Sequence, residues 1–148
     1  MTSAYTGEEL AAAIQQFAPS AVVAHRGDSV WIDPAEWLDV ANDLRGRSEL
    51  DFSYLSLITG VDFIDHFEVV YHLTSMAHNR SAVIKLRCGA GRVEPSVSSV
   101  YSVWRGADLQ EREIWDLMGI RFEGHPNLKR IMLWEGFSGF PLRKDYLR

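Results

Sequence analysis

Histidines at positions 66, 72 and 78 recur every six residues, a spacing that invites a metal site. On a strand rising about 3.3 Å per residue, two histidines six apart stand roughly 20 Å apart, too far to share one ion. They read as three separate histidines near sheet ends and turns. Iron–sulfur ligation needs several thiolates, commonly about four per cluster, and Cys88 is the chain's one cysteine. Gly89-Ala90-Gly91 lacks the third glycine and the helix start of a dinucleotide-binding turn, so it reads as a loop. Ser138, between Phe137 and Gly139, has no strained G-x-S-x-G elbow around it. No residue is therefore assigned as catalytic, cofactor-binding or metal-ligating.

The densest chemistry lies toward the C-terminus. Glu111, Arg112, Glu113 and Asp116 crowd one short segment; His125, Lys129, Arg130 and Trp134 follow, and the chain closes on Pro141, Arg143, Lys144, Asp145 and Tyr146. Forked guanidinium groups, carboxylates and large aromatics in an irregular, Gly- and Pro-containing stretch suit recognition of another protein better than bond-making.

The elements that must position these residues are readable from caps and spacing. Thr6 with Glu9 predicts a capping box, and Leu10, Ile14 and Phe17 form a helical stripe that Pro19 should close. Ala21 to Ala24 and Val30 to Ile32, joined by Arg26-Gly27-Asp28-Ser29, predict a β-hairpin. Asp33, Pro34 and Glu36 open a second helix, with Trp37, Leu38, Ala41 and Leu44 at helical spacing until Gly46. Phe52 to Ile64, Phe67 to Thr74 and Ser81 to Arg87 read as three antiparallel strands, with Gly60, His78 and Asn79 near turns. Val97 to Trp104 fits a helix by spacing and a strand by branching, and is expected to be a helix. A last helix is predicted with Asp108 as its cap, Glu111 in the reciprocal position and Gly119 as a left-handed stop. In it Ile114, Leu117 and Met118 face inward, the acids lean outward, and Arg112 pairs with Asp116. The sum is an α+β fold: one domain over residues 1–148, a mostly antiparallel sheet with helices packed on it, and an extended C-terminal arm over 120–148.

Composition agrees. With 47% hydrophobic and 24% charged residues the chain is globular, and no apolar run approaches the roughly 18 residues of a membrane helix. The first residues, MTSAYTGEELAAA, lack a basic region ahead of an apolar stretch, so no secretory signal is expected. From Arg121 onward six basic residues stand against three acids, giving +3; as the whole chain carries −5, the first 120 residues carry −8. An acidic body with a basic arm is not the broad positive face of a nucleic-acid binder.

Glu111, Arg112, Glu113, Asp116, Leu117 and Met118, followed by His125, Lys129, Ile131 and Met132, and then the closing PLRKDY from Pro141 to Tyr146, resemble the signature of a respiratory complex I family, that of its thirty-kilodalton subunit. In bacteria this is the C subunit of NADH-quinone oxidoreductase, and in photosynthetic forms the J subunit. The resemblance implies a non-redox structural subunit of the peripheral arm of a proton-translocating NAD(P)H- or ferredoxin-quinone oxidoreductase, on the cytoplasmic or matrix side, touching the membrane only through the complex. It implies docking to the subunit of the forty-nine-kilodalton type (D/H) that helps form the quinone site, near the terminal-cluster subunit (B/K). Iron–sulfur clusters, quinone and FMN or NADH would belong to other subunits. Relatives in membrane-bound hydrogenase-type complexes imply the alternative setting.

Overall fold

The computed structural model describes residues 2–89 and 91–147. Ala90, the middle of the glycine-flanked loop, and Arg148, in the basic arm, lie outside the described residues.

The first helix starts at its predicted cap. Thr6 Oγ1 accepts from Glu9 N at 3.1 Å and Glu9 Oε2 accepts from Thr6 N at 3.2 Å, which opens α1 (Gly7–Gln15) and turns Leu10 and Ile14 into the core. A short strand β1 (Ser3–Ala4) precedes it. The hairpin is β2 (Val22–Arg26) and β3 (Ser29–Ile32) with Arg26 opposite Ser29, so Gly27-Asp28 is the two-residue loop and Gly27 takes φ 60°. Glycine at the first loop position suits the twist of such hairpins. Asp33 accepts from Ala35 N at 3.0 Å, and a 3-10 turn (Pro34–Glu36) leads into α2 (Trp37–Gly46).

The main sheet runs β2-β3-β6-β5-β4, where β4 is Tyr54–Asp62, β5 Phe67–Ser75 and β6 Arg80–Arg87. The pairs β2/β3, β4/β5 and β5/β6 are antiparallel, as expected, while β6 also takes β3 and β1 as parallel neighbours. Register places Ile58, Gly60 and Asp62 of β4 with Tyr71, Val69 and Phe67 of β5, and Ile84 and Leu86 of β6, on one face. That face receives the helices: the Trp37 ring lies 4.7 Å from Tyr71, both fully buried.

Two expectations are corrected here. Gly60 is not at a turn but inside β4, opposite Val69. A Cβ there would sit 2.8 Å from Met118 Sδ and 3.1 Å from Ile114, so the missing side chain lets the last helix lie on the strand. Val97 to Trp104 is not a helix: Ser96–Ser98 is strand β7, and a turn follows over 101–103. β7 pairs in parallel with β8 (Arg121–Glu123), with α3 (Ala107–Met118) as the crossover between them. Local spacing could not anticipate a partner strand on the far side of a whole helix. The buried valines and Trp104 instead line a turn that Trp104 Nε1 fixes by donating to Phe52 O at 2.9 Å.

Candidate docking site

The site is built on α3. Gly106 is its N-cap, with no side-chain cap bond, so neither Asp108 nor Glu111 plays the predicted capping part. The acids do not all lean outward: Glu111 and Asp116 are fully buried, while Glu113 is exposed. Glu111 Oε1 accepts from Ser99 Oγ at 2.7 Å and Val100 N at 3.3 Å, and Oε2 has no partner among the described residues. Burial pushes this carboxyl up to about 8, against the pull of the Ser99 and Val100 hydrogen bonds.

Asp116 has the opposite surroundings. Burial raises its pKa, but more is gained from donors: Ile131 N at 3.1 Å, Met132 N at 2.6 Å and Leu133 N at 2.9 Å all reach Oδ2, and Arg130 reaches Oδ1 at 3.0 Å. The net result lies below the ordinary aspartate value. Three successive backbone N–H groups wrapped around one carboxylate oxygen fix the path of the chain there. Asp116 is therefore the carboxylate partner of Arg130 and not of Arg112, which donates to Lys129 O at 3.1 Å and Arg130 O at 3.3 Å.

Beyond Glu123 the described residues contain no helix or strand, and the arm is held by donors reaching carbonyls and carboxylates. Arg130 continues to Gly139 O at 2.8 Å and lies 5.2 Å from the Phe140 ring centre. Arg143 donates to Met118 O at 2.7 Å and Arg92 O at 3.1 Å, and Leu142 N to Leu117 O at 3.0 Å. The predicted stop, Gly119, is left-handed at φ 74°, and a Cβ on it would come within 2.6 Å of both Arg143 and Phe140. Glycine there both ends α3 and admits the arm.

The second anchor is Asp62, at the end of β4. Its carboxylate accepts from Arg92 at 2.6 and 3.0 Å, Ile64 N at 2.8 Å and Lys144 N at 2.9 Å. The Arg92 guanidinium, aided by the two backbone donors, holds it well below the usual carboxylate range despite burial. Ile64 sits at φ 76°, a rare conformation for a β-branched residue, and is exposed beside Lys144 and Asp145.

The remaining predicted residues divide between holding and displaying. His125 Nδ1 accepts from Asn127 N at 3.0 Å, which leaves Nε2 as the donor toward Asp108 O at 3.1 Å. Tyr146 lies against the arm, its hydroxyl donating to Ser138 O at 3.3 Å, and Asp145 pairs with Arg92 at 3.3 Å. Pro141 is half-buried. Lys129 and the Lys144 and Trp134 side chains are exposed, with Met132 at 62%, Trp134 at 69% and Leu142 at 58%. Sequence reasoning missed Asp62, Arg92 and the structural use of Gly60. Only Glu111 carried a usable signal, since it lies three and seven residues before the buried Ile114 and Met118 and so on their helix face.

The histidines at 66, 72 and 78 serve separately. His66 lies 2.8 Å from Asp65 and 2.9 Å from Glu68, His78 lies 2.8 Å from Ser48 O, and His72 is on β5. No group of three metal-ligating side chains is found among the described residues, nor a helix long and apolar enough to cross a membrane.

The arm and α3 fall within a known family. The sequence model described as respiratory-chain NADH dehydrogenase, 30 Kd subunit, matches residues 30–148. Over 118 residues the chain is 46% identical to the C 2 subunit of NADH-quinone oxidoreductase from Rhizobium meliloti, covering 78% of this chain and 63% of that one. It is 47% identical over 124 residues to the C subunit of NADH-quinone oxidoreductase from Roseiflexus sp., covering 81% and 70%. The chain thus spans about two thirds of these relatives' length. Among solved structures, a chain of the membrane-bound sulfane sulfur reductase, an archaeal respiratory membrane complex, superposes with TM-score 0.72 at 27% identity, covering 95% of this chain and 85% of that one. A trypsin-resistant fragment (1–134) of Nqo5 gives 0.54 at 27%, covering 68% and 81%. With sequence signature, architecture and relatives in agreement, the chain belongs to the respiratory-chain NADH dehydrogenase 30 Kd subunit family.

Proposed function

We propose that this chain is a structural subunit in the peripheral arm of an NADH-quinone oxidoreductase-type complex, and that its C-terminal arm docks on the quinone-site subunit of the forty-nine-kilodalton type, beside the terminal-cluster subunit. The observation that carries the proposal is the contrast within the arm: Asp62 and Asp116 fix its backbone, while Met132, Trp134 and Leu142 stay exposed. A segment ordered before it binds loses less entropy on docking, and its aromatic is placed as an anchor. Electron transfer runs through other subunits. The donor set here does not fit an iron–sulfur cluster, since the single thiol, Cys88, is buried and pushed up to about 12 by burial and by the Glu68 charge.

The test is affinity purification of the tagged chain from membranes solubilised in mild detergent, with co-eluting chains identified by mass. Recovery of a quinone-site subunit and a cluster-bearing subunit supports the proposal; elution of the chain alone from an otherwise intact complex refutes it. A second setting, in a hydrogenase-like complex, is favoured by the likeness to the archaeal sulfane sulfur reductase chain. It would be recognised by a metal-binding large subunit in place of the quinone-site homologue.

A further inference from the structure

The sheet has a second feature that the docking arm does not use. β2 is an edge strand, and beside it lies a groove of about 660 Å³ lined by Val23, Trp31, Ile32 and Pro34 together with His25, Arg26 and Arg87. Val23 stands 67% exposed at its lip. Register places Arg26 opposite Ser29, and Trp31 opposite Lys85, so Arg26, Trp31, Lys85 and Arg87 share the sheet face away from the helices. The Lys85 ammonium lies 5.0 Å from the Trp31 ring centre.

This basic cluster stands in a body whose first 120 residues carry a net −8. Four other arginines pair with acids, Arg47 with Asp43, Arg80 with Glu9, Arg92 with Asp62 and Arg130 with Asp116. Arg45, Arg112 and Arg143 donate to backbone carbonyls, Arg105 donates to the Tyr101 hydroxyl, and Arg121 lies over the Trp115 ring. Among the described residues Arg26 and Arg87 form no ion pair; the exposed Asp65 feels the Arg87 charge only at longer range. Glu68, the nearby buried acid, is occupied by Trp31 Nε1 at 3.2 Å and His66 at 2.9 Å.

We propose that this groove is a second docking surface, and that its occupant is an extended acidic segment of a neighbouring subunit in the complex. Such a segment crosses the outer face of the sheet diagonally from β2 to β6, sets one apolar side chain against Trp31, and gives one carboxylate to Arg26 and another to Arg87. The two arginines are four residues apart along the strands and two strands apart across the sheet, on the order of 16 Å between Cα atoms. Acids four or five residues apart on an extended chain match that distance at about 3.4 Å per residue. The inference rests on the proposed membership of a complex, but on different residues from the arm.

The experiment places a photo-crosslinking residue at Val23 in the full-length chain, purifies the complex and maps the crosslinked peptide. It repeats the measurement with Arg26→Glu/Arg87→Glu, whose circular dichroism should match the parent because neither side chain holds an ion pair among the described residues. The expected result is a crosslink to a segment of another subunit bearing two acids four or five residues apart. The double variant should lose that crosslink at least tenfold, and lysine substitutions at those acids should restore it. The proposal is overturned if the chain is retained in the complex with no crosslink at Val23, if the crosslink reaches a second copy of this chain or a segment without such acids, or if charge reversal leaves it unchanged. If the parent chain is not retained in any complex, the proposed function fails and this inference falls with it; retention of the parent with an indifferent groove variant sinks only the inference.

Discussion

From Tyr54 to Arg87 the chain is held by apolar side chains that interlock beneath the helices, with Phe67, Val69, Tyr71, Ile84 and Leu86 fully buried. From His125 to Tyr146 the chain has no ladder of its own, and is held by a few charged groups that each satisfy several backbone atoms. The first kind of stability is spread over many contacts and is tolerant. The second is concentrated: Asp116 alone fixes three consecutive amides and a guanidinium. Body and arm should therefore fail differently.

The largest effect is expected in the body. Trp37 is fully buried against Tyr71, and Trp37→Ala should lower stability by about 3–5 kcal/mol, a large share of a typical ~5–15 kcal/mol. In a urea titration body and arm should unfold together. An arm that stays resistant to protease after the body melts would show that the two are not coupled as described.

Next comes Asp116→Ala, which strips Arg130 and three amides of their acceptor. Removing one partner of a buried, hydrogen-bonded pair costs about 3–5 kcal/mol, and here the loss should appear first as an arm open to protease between residues 124 and 147 around a body whose circular dichroism is intact. Uniform destabilisation with no selective cleavage would argue against the division.

Protonation sharpens the same comparison because the buried carboxyls shift in opposite directions. Glu111 is raised from 4.5 to about 8, so its contribution is complete below about pH 4.5 and is lost as pH rises through 8. Linkage gives a slope of about 1.4 kcal/mol per pH unit at most, or on the order of 2 kcal/mol between pH 6 and pH 8. Asp62 and Asp116 are lowered, so what they contribute is present above their ordinary value of 3.8 and is lost in acid, as pH falls through their folded-state values. Alkali should thus weaken the body at α3 while acid frees the arm. Glu111→Gln should flatten the alkaline slope in a series of denaturant titrations and leave the acid limb alone; an unchanged slope would mean another group is responsible.

What sequence makes legible follows the same boundary. The Thr6 and Glu9 capping box and the Gly27 hairpin are decided by neighbours within a few residues and form as expected, while Asp33 and Pro34 open a 3-10 turn and the second α-helix begins only at Trp37. β7 escapes a local reading because its partner strand starts only at Arg121, beyond the whole of α3. Spacing pairs Arg112 with Asp116 because they are close along the helix, whereas the true donors come 14 to 17 residues later. Asp62 and Lys144 meet across 82 residues, a link that no spacing rule announces. The family signature marks α3 and the arm as special, yet does not say which of its charges hold the arm and which are left to face outward.

The smallest expected effect on folding is the most telling for docking. Trp134 is 69% exposed and touches Phe137 edge-on, with ring centres 6.2 Å apart. Trp134→Ala should change stability by no more than about 0.5 kcal/mol, as exposed substitutions usually do. If the ring is an interface anchor, truncation removes about 2 kcal/mol or more of binding, a loss of at least ~30-fold in affinity. Retention in the detergent-purified complex should then collapse while the isolated chain melts as before. The paired readout separates the arm's two tasks, because Asp116→Ala lowers both arm order and retention whereas Trp134→Ala lowers retention alone. Normal retention of the Trp134 variant would move the anchor elsewhere on the arm, with Ile131, Met132, Leu142 and Leu147 the exposed large apolar side chains left to test among the described residues.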